Sequence, residues 1–370
     1  MGPFLVLGTI EPPIGGVSRY CRGLCALLRE AGLSTVQIDL LGRSGAGDDG
    51  AFIHRVLRRI VGEQALTLCR ALRQSHPEVI IDNHQLLWRS AVYAAKARRV
   101  TRVPYVLVIH DGAFPDFVRG LGPRRRNQLA VTFAHLAGVA CMSDPIKEAV
   151  DGLAPAVPLA RLSPLLSESL SNEIAADDPV AALFRNRRAV IVTSGGVDRL
   201  YGLEEVLSAF AALRAREMDV GLALLLGSFT HDDATASAIR RAEERFGSEW
   251  FVVLTDHPRG SAVIARSSCY VRSSRVDSFG LGLHEAMLAG VPVVASEHPT
   301  RPPGVRLYPP GDAQGLAAAL EEALRPEART AASALIPRVR GDLEQNRRAT
   351  LEFLRRAASP APPEHVQAAR

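Results

Sequence analysis

The chain is poor in several things that would mark common protein classes. Aromatic residues make up only 5% of its 370 positions. No apolar run reaches the ~18–20 residues needed to cross a bilayer, so no membrane span is expected. The opening MGPFLVLGTI runs straight into strand-like sequence, without the charged lead and cleavage site of a secretion signal. A cytoplasmic location is therefore expected. The five cysteines (Cys21, Cys25, Cys69, Cys141 and Cys269) include no Cys-x-x-Cys pair and read as small buried hydrophobes. No His, Cys and acid cluster has metal-ligand spacing, and no Asp-x-Asp pair is present to hold a divalent ion, so no metal and no cofactor are expected. No Gly-x-Gly-x-x-Gly follows the first strand with an acid ~20 residues on, which argues against a dehydrogenase. Basic residues interleaved with aromatics are also missing, so nucleic acid is not an expected partner.

What is present suits a two-domain enzyme of α/β class. Hydrophobic residues reach 47%, enough for two sizeable cores in a chain of this length, and the net charge is +5. Apolar strand-like runs alternate with helical segments throughout, which predicts parallel sheets with crossover helices. Strands are expected at Phe4–Gly8, Thr35–Leu40, Val79–Asp82, Tyr105–Ile109 and Gly138–Cys141, with helices at 17–31, 52–74, 90–100 and 124–134 between or after them. Prolines 155, 158 and 164 then break the pattern, and the polar stretch 167–179 reads as a linker. Alternation restarts at Ala189, giving a first domain over 1–166 and a second over 167–340. A last helix over 341–357 and a disordered tail over 358–370 complete the expected organisation. Two such open sheets bind ligands outside the carboxyl ends of their strands, so a cleft between domains is expected.

The chemistry concentrates between Tyr270 and Glu297. There a short strand ends in polar residues, Asp277 follows, and a Ser278-Phe279-Gly280 turn leads into a helix that carries Glu285 and stops at Gly290. Seven residues separate the two acids, placing both near one helix N-terminus. That terminus has unpaired N–H groups and a partial positive charge, which favour phosphate. The neighbouring carboxylates can accept sugar or ribose hydroxyls. Elsewhere, the Gly15-Gly16 pair lets backbone approach a ligand at the start of the first helix, where Arg19 could reach an acceptor phosphate. His110 and, less clearly, His84 follow buried strands at their carboxyl tips.

The segment resembles the signature of retaining glycosyltransferase family 4, acid-x-Phe-Gly-x4-Glu-Ala-x3-Gly-x-Pro-Val-Val-Ala. It is read here as Asp277, Phe279-Gly280, Glu285-Ala286, Gly290 and Pro292-Val293-Val294-Ala295. Asp stands where Glu is usual. The resemblance implies a GT-B fold: two Rossmann-like domains whose parallel sheets face a central cleft, with a final helix crossing back to the first domain. It implies a metal-independent transfer of sugar from a nucleotide-diphosphate sugar, by default a UDP-sugar, to a hydroxyl acceptor. His110 would lie by the transferred sugar, Asp277 on sugar hydroxyls and Glu285 on the ribose. Gly15, Gly16 and the Ser278-Phe279-Gly280-Leu281 backbone would lie along the phosphates, and Gly227-Ser228 and the 255–257 loop beside the base. The family usually clamps the diphosphate with Arg and Lys; those positions hold Gly196 and Tyr201 here, leaving Arg199 and Arg272 as substitutes. The basic runs 55–59 and 124–126 allow peripheral contact with an anionic membrane. A non-catalytic binding subunit and a nucleotide-sugar epimerase on the same scaffold remain open alternatives.

Overall fold

The computed structural model describes residues 2–11, 14–39, 54–55, 68, 70–83, 103–163, 165–166, 173–228 and 230–359. The expectations for helices at 52–53, 56–67 and 90–100, for the basic residues at 58–59, for the tail from 360 on and for His84 lie outside the described residues. The described pair His54–Arg55 is a strand, where a helix over 52–74 was expected.

The chain divides into two units. One comprises Met1–Ile10, Leu24–Ser163 and Asn346–Arg370, the other Glu11–Gly23 and Pro164–Gln345. The segment bearing Gly15, Gly16 and Arg19 thus belongs with the second unit, although it lies near the start of the chain. Each unit is built on one parallel sheet. In the first, the strands β1 (Phe4–Leu7), β2 (Thr35–Asp39), β3 (His54–Arg55), β4 (Val79–Asp82), β5 (Tyr105–Ile109), β6 (Gly138–Cys141) and β7 (Leu159–Arg161) lie in the order β3-β2-β1-β4-β5-β6-β7. In the second, β8 (Ala189–Gly196), β9 (Val220–Gly227), β10 (Phe251–Thr255), β11 (Cys269–Arg272), β12 (Val293–Ser296) and β13 (Arg306–Tyr308) lie in the order β10-β9-β8-β11-β12-β13. Both are doubly wound, and in each the order reverses beside its first strand.

The sequence dictates this directly. β1, β4, β5, β6 and β9 are buried at every position, as strands covered on both faces must be. In the second unit, alternate residues feed two cores. Ile191, Leu222 and Leu224 pack with the helices Leu203–Ala215 and Ala313–Ala323 on one face. Val190, Val192, Ala223 and Leu225 pack with the helices Gly260–Arg266 and Leu281–Leu288 on the other. Helix ends follow the glycines: Gly32, Gly202, Gly280 and Gly290 all have positive φ. Several short elements were not foreseen, among them the helices Phe114–Arg119, Ala181–Asn186 and Pro326–Ala334 and the strands β7 and β13. The last helix starts at Ile336, not at 341, because Pro337 sits in its first turn, where a missing N–H costs nothing. Its later part is fixed in the first unit, where Asn346 accepts from the Ser163 amide at 2.6 Å and donates to its carbonyl at 2.7 Å.

Close approach explains one glycine beside the site. A Cβ at Gly282 would lie 2.4 Å from the hydroxyl of buried Tyr270, which is itself bonded to Ser194 at 2.6 Å. At Gly341, inside the last helix, a Cβ meets open space. Gly282→Ala should therefore destabilise the protein by about 1–3 kcal/mol, while Gly341→Ala should stabilise it by about 0.5–1 kcal/mol. Paired thermal melts would check both signs.

Candidate functional site

The second sheet reverses between β8 and β11, and the candidate site is built on the carboxyl ends of those strands and of β12. Asp277 follows β11 and is 7% exposed. Arg272, the last residue of β11, reaches it with Nε at 2.8 Å and Nη2 at 3.1 Å, a bidentate pair. Arg301, from the loop after β12, adds Nη1 at 2.6 Å. Both guanidinium groups also hold backbone carbonyls. Arg272 Nη1 donates to the Ser194 carbonyl at 3.1 Å, while Arg301 donates to the carbonyls of Ser296 and Ser274 at 3.0 and 3.2 Å. The Arg301 side chain is only 2% exposed. Burial alone would raise the Asp277 pKa, but Arg272 and then Arg301 outweigh it and hold the carboxyl well below the usual range. Two guanidinium groups face one carboxylate, so the cluster carries one excess positive charge.

That cluster abuts the helix Leu281–Leu288. Gly280 opens the helix with φ 72°, and a Cβ there would meet Asp277 Oδ2 at 3.2 Å. Phe279 stacks on His284 with ring centroids 3.8 Å apart, and His284 Nδ1 donates to the Gly280 carbonyl at 3.2 Å, so the turn is fixed from within. One turn on, Glu285 is 3% exposed. Its two oxygens accept from Arg19 Nη1 at 2.8 and 2.9 Å, and Oε1 also accepts from Ser261 Oγ at 2.8 Å.

A third acid organises the adjoining loops. Asp256 has φ 47°, an uncommon conformation for a non-glycine residue. Its carboxylate accepts from the amides of Ile14 and Ser228 at 2.9 and 3.2 Å and from the Ser228 hydroxyl. The Gly15-Gly16 segment and the Gly227-Ser228 loop are thereby tied to one residue. Gly15 donates to Ser18 Oγ at 2.9 Å, and a Cβ at Gly16 would meet open space.

The expected diphosphate cations sit differently. Arg199 is on a short turn, Arg199–Tyr201, with its side chain 77% exposed and 3.7 Å from Asp232. Tyr201 packs flat on the end of β8, where a Cβ at Gly195 would lie 2.7 Å from its ring. The Arg272 guanidinium lies 5.6 Å from the Tyr201 ring centroid. Arg272, Asp277, Ser278, Phe279, Gly280, Leu281 and Glu285 are therefore brought together, whereas Arg199 stands apart on the surface. Arg301 and Ser261 were not anticipated. Arg301 follows a strand tip in a His-Pro-Thr-Arg loop that carries no recognisable spacing, and position at a strand's carboxyl end was its one signal.

In the first unit His110 follows β5 and lies beside Asn83, which follows β4. The side-chain amide of Asn83 donates to the Leu7 carbonyl at 3.3 Å, so its oxygen faces His110 Nε2 at 3.1 Å and that nitrogen carries the proton. Burial pushes the imidazole down to about 3, leaving it neutral at physiological pH.

Residues 188–326, which contain the whole Asp277–Glu285–Arg301 arrangement, match the family model described as glycosyl transferases group 1. No curated protein sequence matches the chain. Among solved structures, it is similar to sucrose-phosphate synthase from Thermosynechococcus elongatus, with TM-score 0.76 and 20% identity over 97% of this chain and 100% of that one. It is also similar to HepE from Anabaena in complex with UDP-glucose, with TM-score 0.73 and 17% identity over 96% of this chain and 100% of that one. A third is a UDP-forming α,α-trehalose-phosphate synthase from Burkholderia xenovorans, with TM-score 0.70 and 15% identity over 97% of this chain and 100% of that one. With its two doubly wound sheets, the chain has the GT-B fold.

The cluster predicts its own energetics. Asp277→Asn leaves two buried guanidinium groups without their counter-charge, so stability should fall by about 3–5 kcal/mol at neutral pH. Because the folded-state pKa is depressed, this contribution is complete above about pH 4 and is lost as the pH falls toward the depressed value. Denaturation of wild type and variant at pH 7 and pH 3 should show the gap narrowing in acid. An equal gap at both would mean that Asp277 acts by shape and not by charge.

Proposed function

We propose that the protein is a retaining glycosyltransferase that moves a sugar from a nucleoside diphosphate, UDP by preference, to a hydroxyl acceptor. The observation that carries this reading is the buried cluster of Arg272, Asp277 and Arg301, one positive charge in excess, set against the first turn of the helix that bears Glu285. A diphosphate needs fixed positive charge and oriented N–H groups, and a ribose needs a carboxylate nearby. The match of residues 188–326 to a glycosyltransferase family model supports the reaction class. The complex of HepE with UDP-glucose and the UDP-forming character of the trehalose-phosphate synthase support the choice of base.

In this reading the acceptor hydroxyl attacks the anomeric carbon from the face that the nucleotide leaves. A carbon–oxygen bond forms to the acceptor, the bond to the diphosphate breaks, and the departing phosphate takes the proton. The protein's main task is to stabilise charge growing on the diphosphate. Arg272 and Arg301 supply that charge in place of cations at Gly196 and Tyr201. Arg199 is distant in role, being exposed beside Asp232. Asp277 accepts three hydrogen bonds from the arginines, so about one of its roughly four lone-pair sites is left for a sugar hydroxyl. Arg124, Arg125 and Arg126 are exposed on the helix Pro123–Ala134, with Phe117 exposed on the preceding helix; peripheral contact of a cytoplasmic enzyme with anionic lipid belongs to this proposal. A non-catalytic binding role is favoured only by Gly196 and Tyr201, which remove the usual cations.

Three experiments test the reading. Thermal-shift screening of UDP, GDP, ADP and TDP and their sugars should give a clear rise with one base; a ligand at 100 times its dissociation constant adds about 2.7 kcal/mol. With that donor, Glu285→Ala should lose about 10–150-fold in transfer while staying folded. Activity within threefold of wild type would remove Glu285 from the site, and donor binding without any turnover would support the binding-protein reading. Separately, if the arginines and the helix N-terminus neutralise the leaving group, transfer should persist in excess EDTA. Complete loss restored by Mg²⁺ or Mn²⁺ would show that the charge is supplied by a metal instead.

A further inference from the structure

Three helices meet on one carboxylate. Glu285 projects from Leu281–Leu288, Ser261 from Gly260–Arg266 and Arg19 from Gly16–Glu30. Arg19 Nη1 bridges both Glu285 oxygens at 2.8 and 2.9 Å and lies 3.2 Å from Ser261 Oγ, which itself donates to Oε1 at 2.8 Å. Gly260 makes the room: a Cβ there would stand 2.8 Å from Arg19 Nη2. The segment that carries Arg19 is tied down a second time, by the Ile14 amide on Asp256 at 2.9 Å. Arg19 is thus seated in a built socket, with its side chain 14% exposed.

A carboxylate with only 4% of its side chain exposed needs a counter-charge, and a ribose diol is neutral and cannot provide one. Arg19 provides it. Oε1 already takes two contacts and Oε2 one, so with about two lone pairs per oxygen the vacant direction is on Oε2. We propose that Arg19 is a positioning residue for Glu285, fixing the carboxylate and leaving Oε2 aimed at a ribose hydroxyl, and that it does not contact the acceptor. This rests on the reading of Glu285 as the ribose ligand.

The test is a double-mutant cycle read by calorimetric binding of UDP and 2′,3′-dideoxy-UDP, or of the matching pair for the base chosen by the thermal-shift screen. Wild type should prefer the ribose form by about ten- to a hundredfold. Glu285→Ala and Arg19→Ala should each abolish that preference, and the double variant should lose nothing more. Gly260→Ala, which crowds the Arg19 tip without touching its charge, should reduce the preference partway. Arg19→Gln keeps a hydrogen-bonding side chain should Arg19→Ala fold poorly, and should show the same loss. If Glu285→Ala leaves the preference intact, the ribose reading itself fails. If Glu285→Ala abolishes it while the Arg19 variants retain it, the inference alone fails. Tighter UDP binding by Arg19→Ala, or a raised acceptor KM with ribose preference unchanged, would likewise overturn it.

Discussion

The site depends on one carboxylate holding two buried guanidinium groups. Asp277 lets Arg272 and Arg301 stay in a place where an unpaired charge would be prohibitive. Further N–H groups of theirs fasten three strand ends, through the carbonyls of Ser194 near the end of β8, Ser274 after β11 and Ser296 at the end of β12. The same set of bonds therefore fixes the loops and leaves the excess positive charge. Charge and architecture are not separable here: removing the acid disturbs both, and so would removing either arginine.

Much of this was readable in the sequence. The strands are unbroken apolar runs because they are covered on both faces, and the glycines that end helices do so because they must take positive φ. The turn at Phe279-Gly280 and the helix bearing Glu285 follow from a compact local pattern. What escaped was long-range. Arg301 lies 24 residues beyond Asp277, and nothing local distinguishes it from the other arginines of an Arg-rich chain. The pairing of Arg19 with Glu285 spans 266 positions, a separation across which no local pattern shows that they touch. The grouping of Glu11–Gly23 with the second unit is of the same kind: it rests on bonds such as Ile14 to Asp256, which no periodicity announces. Short strands such as β7 and β13 carry too few residues for alternation to register.

Tyr201 shows how a substituted position can be reused. Its ring fills the space that glycine leaves at Gly195, its carbonyl accepts from Ser273 Oγ at 2.6 Å, and Gly202 turns the chain with φ 61° against the Ser273 backbone. An aromatic residue here braces the end of β8 against the residues after β11. The Arg272 guanidinium lies 5.6 Å from the same ring, so the aromatic brace and the charge cluster adjoin.

Burial of the arginine pair has a bearing on ionic strength. Mobile ions screen exposed charges over roughly 8–10 Å at physiological concentration but cannot enter a cluster whose members are 2–13% exposed. The attraction of Arg199 to Asp232, at 77% and 20% exposure, fades in salt, while the field from Arg272, Asp277 and Arg301 does not. A buried cluster of this kind keeps its three strand ends joined in concentrated electrolyte, where a surface ion pair would loosen.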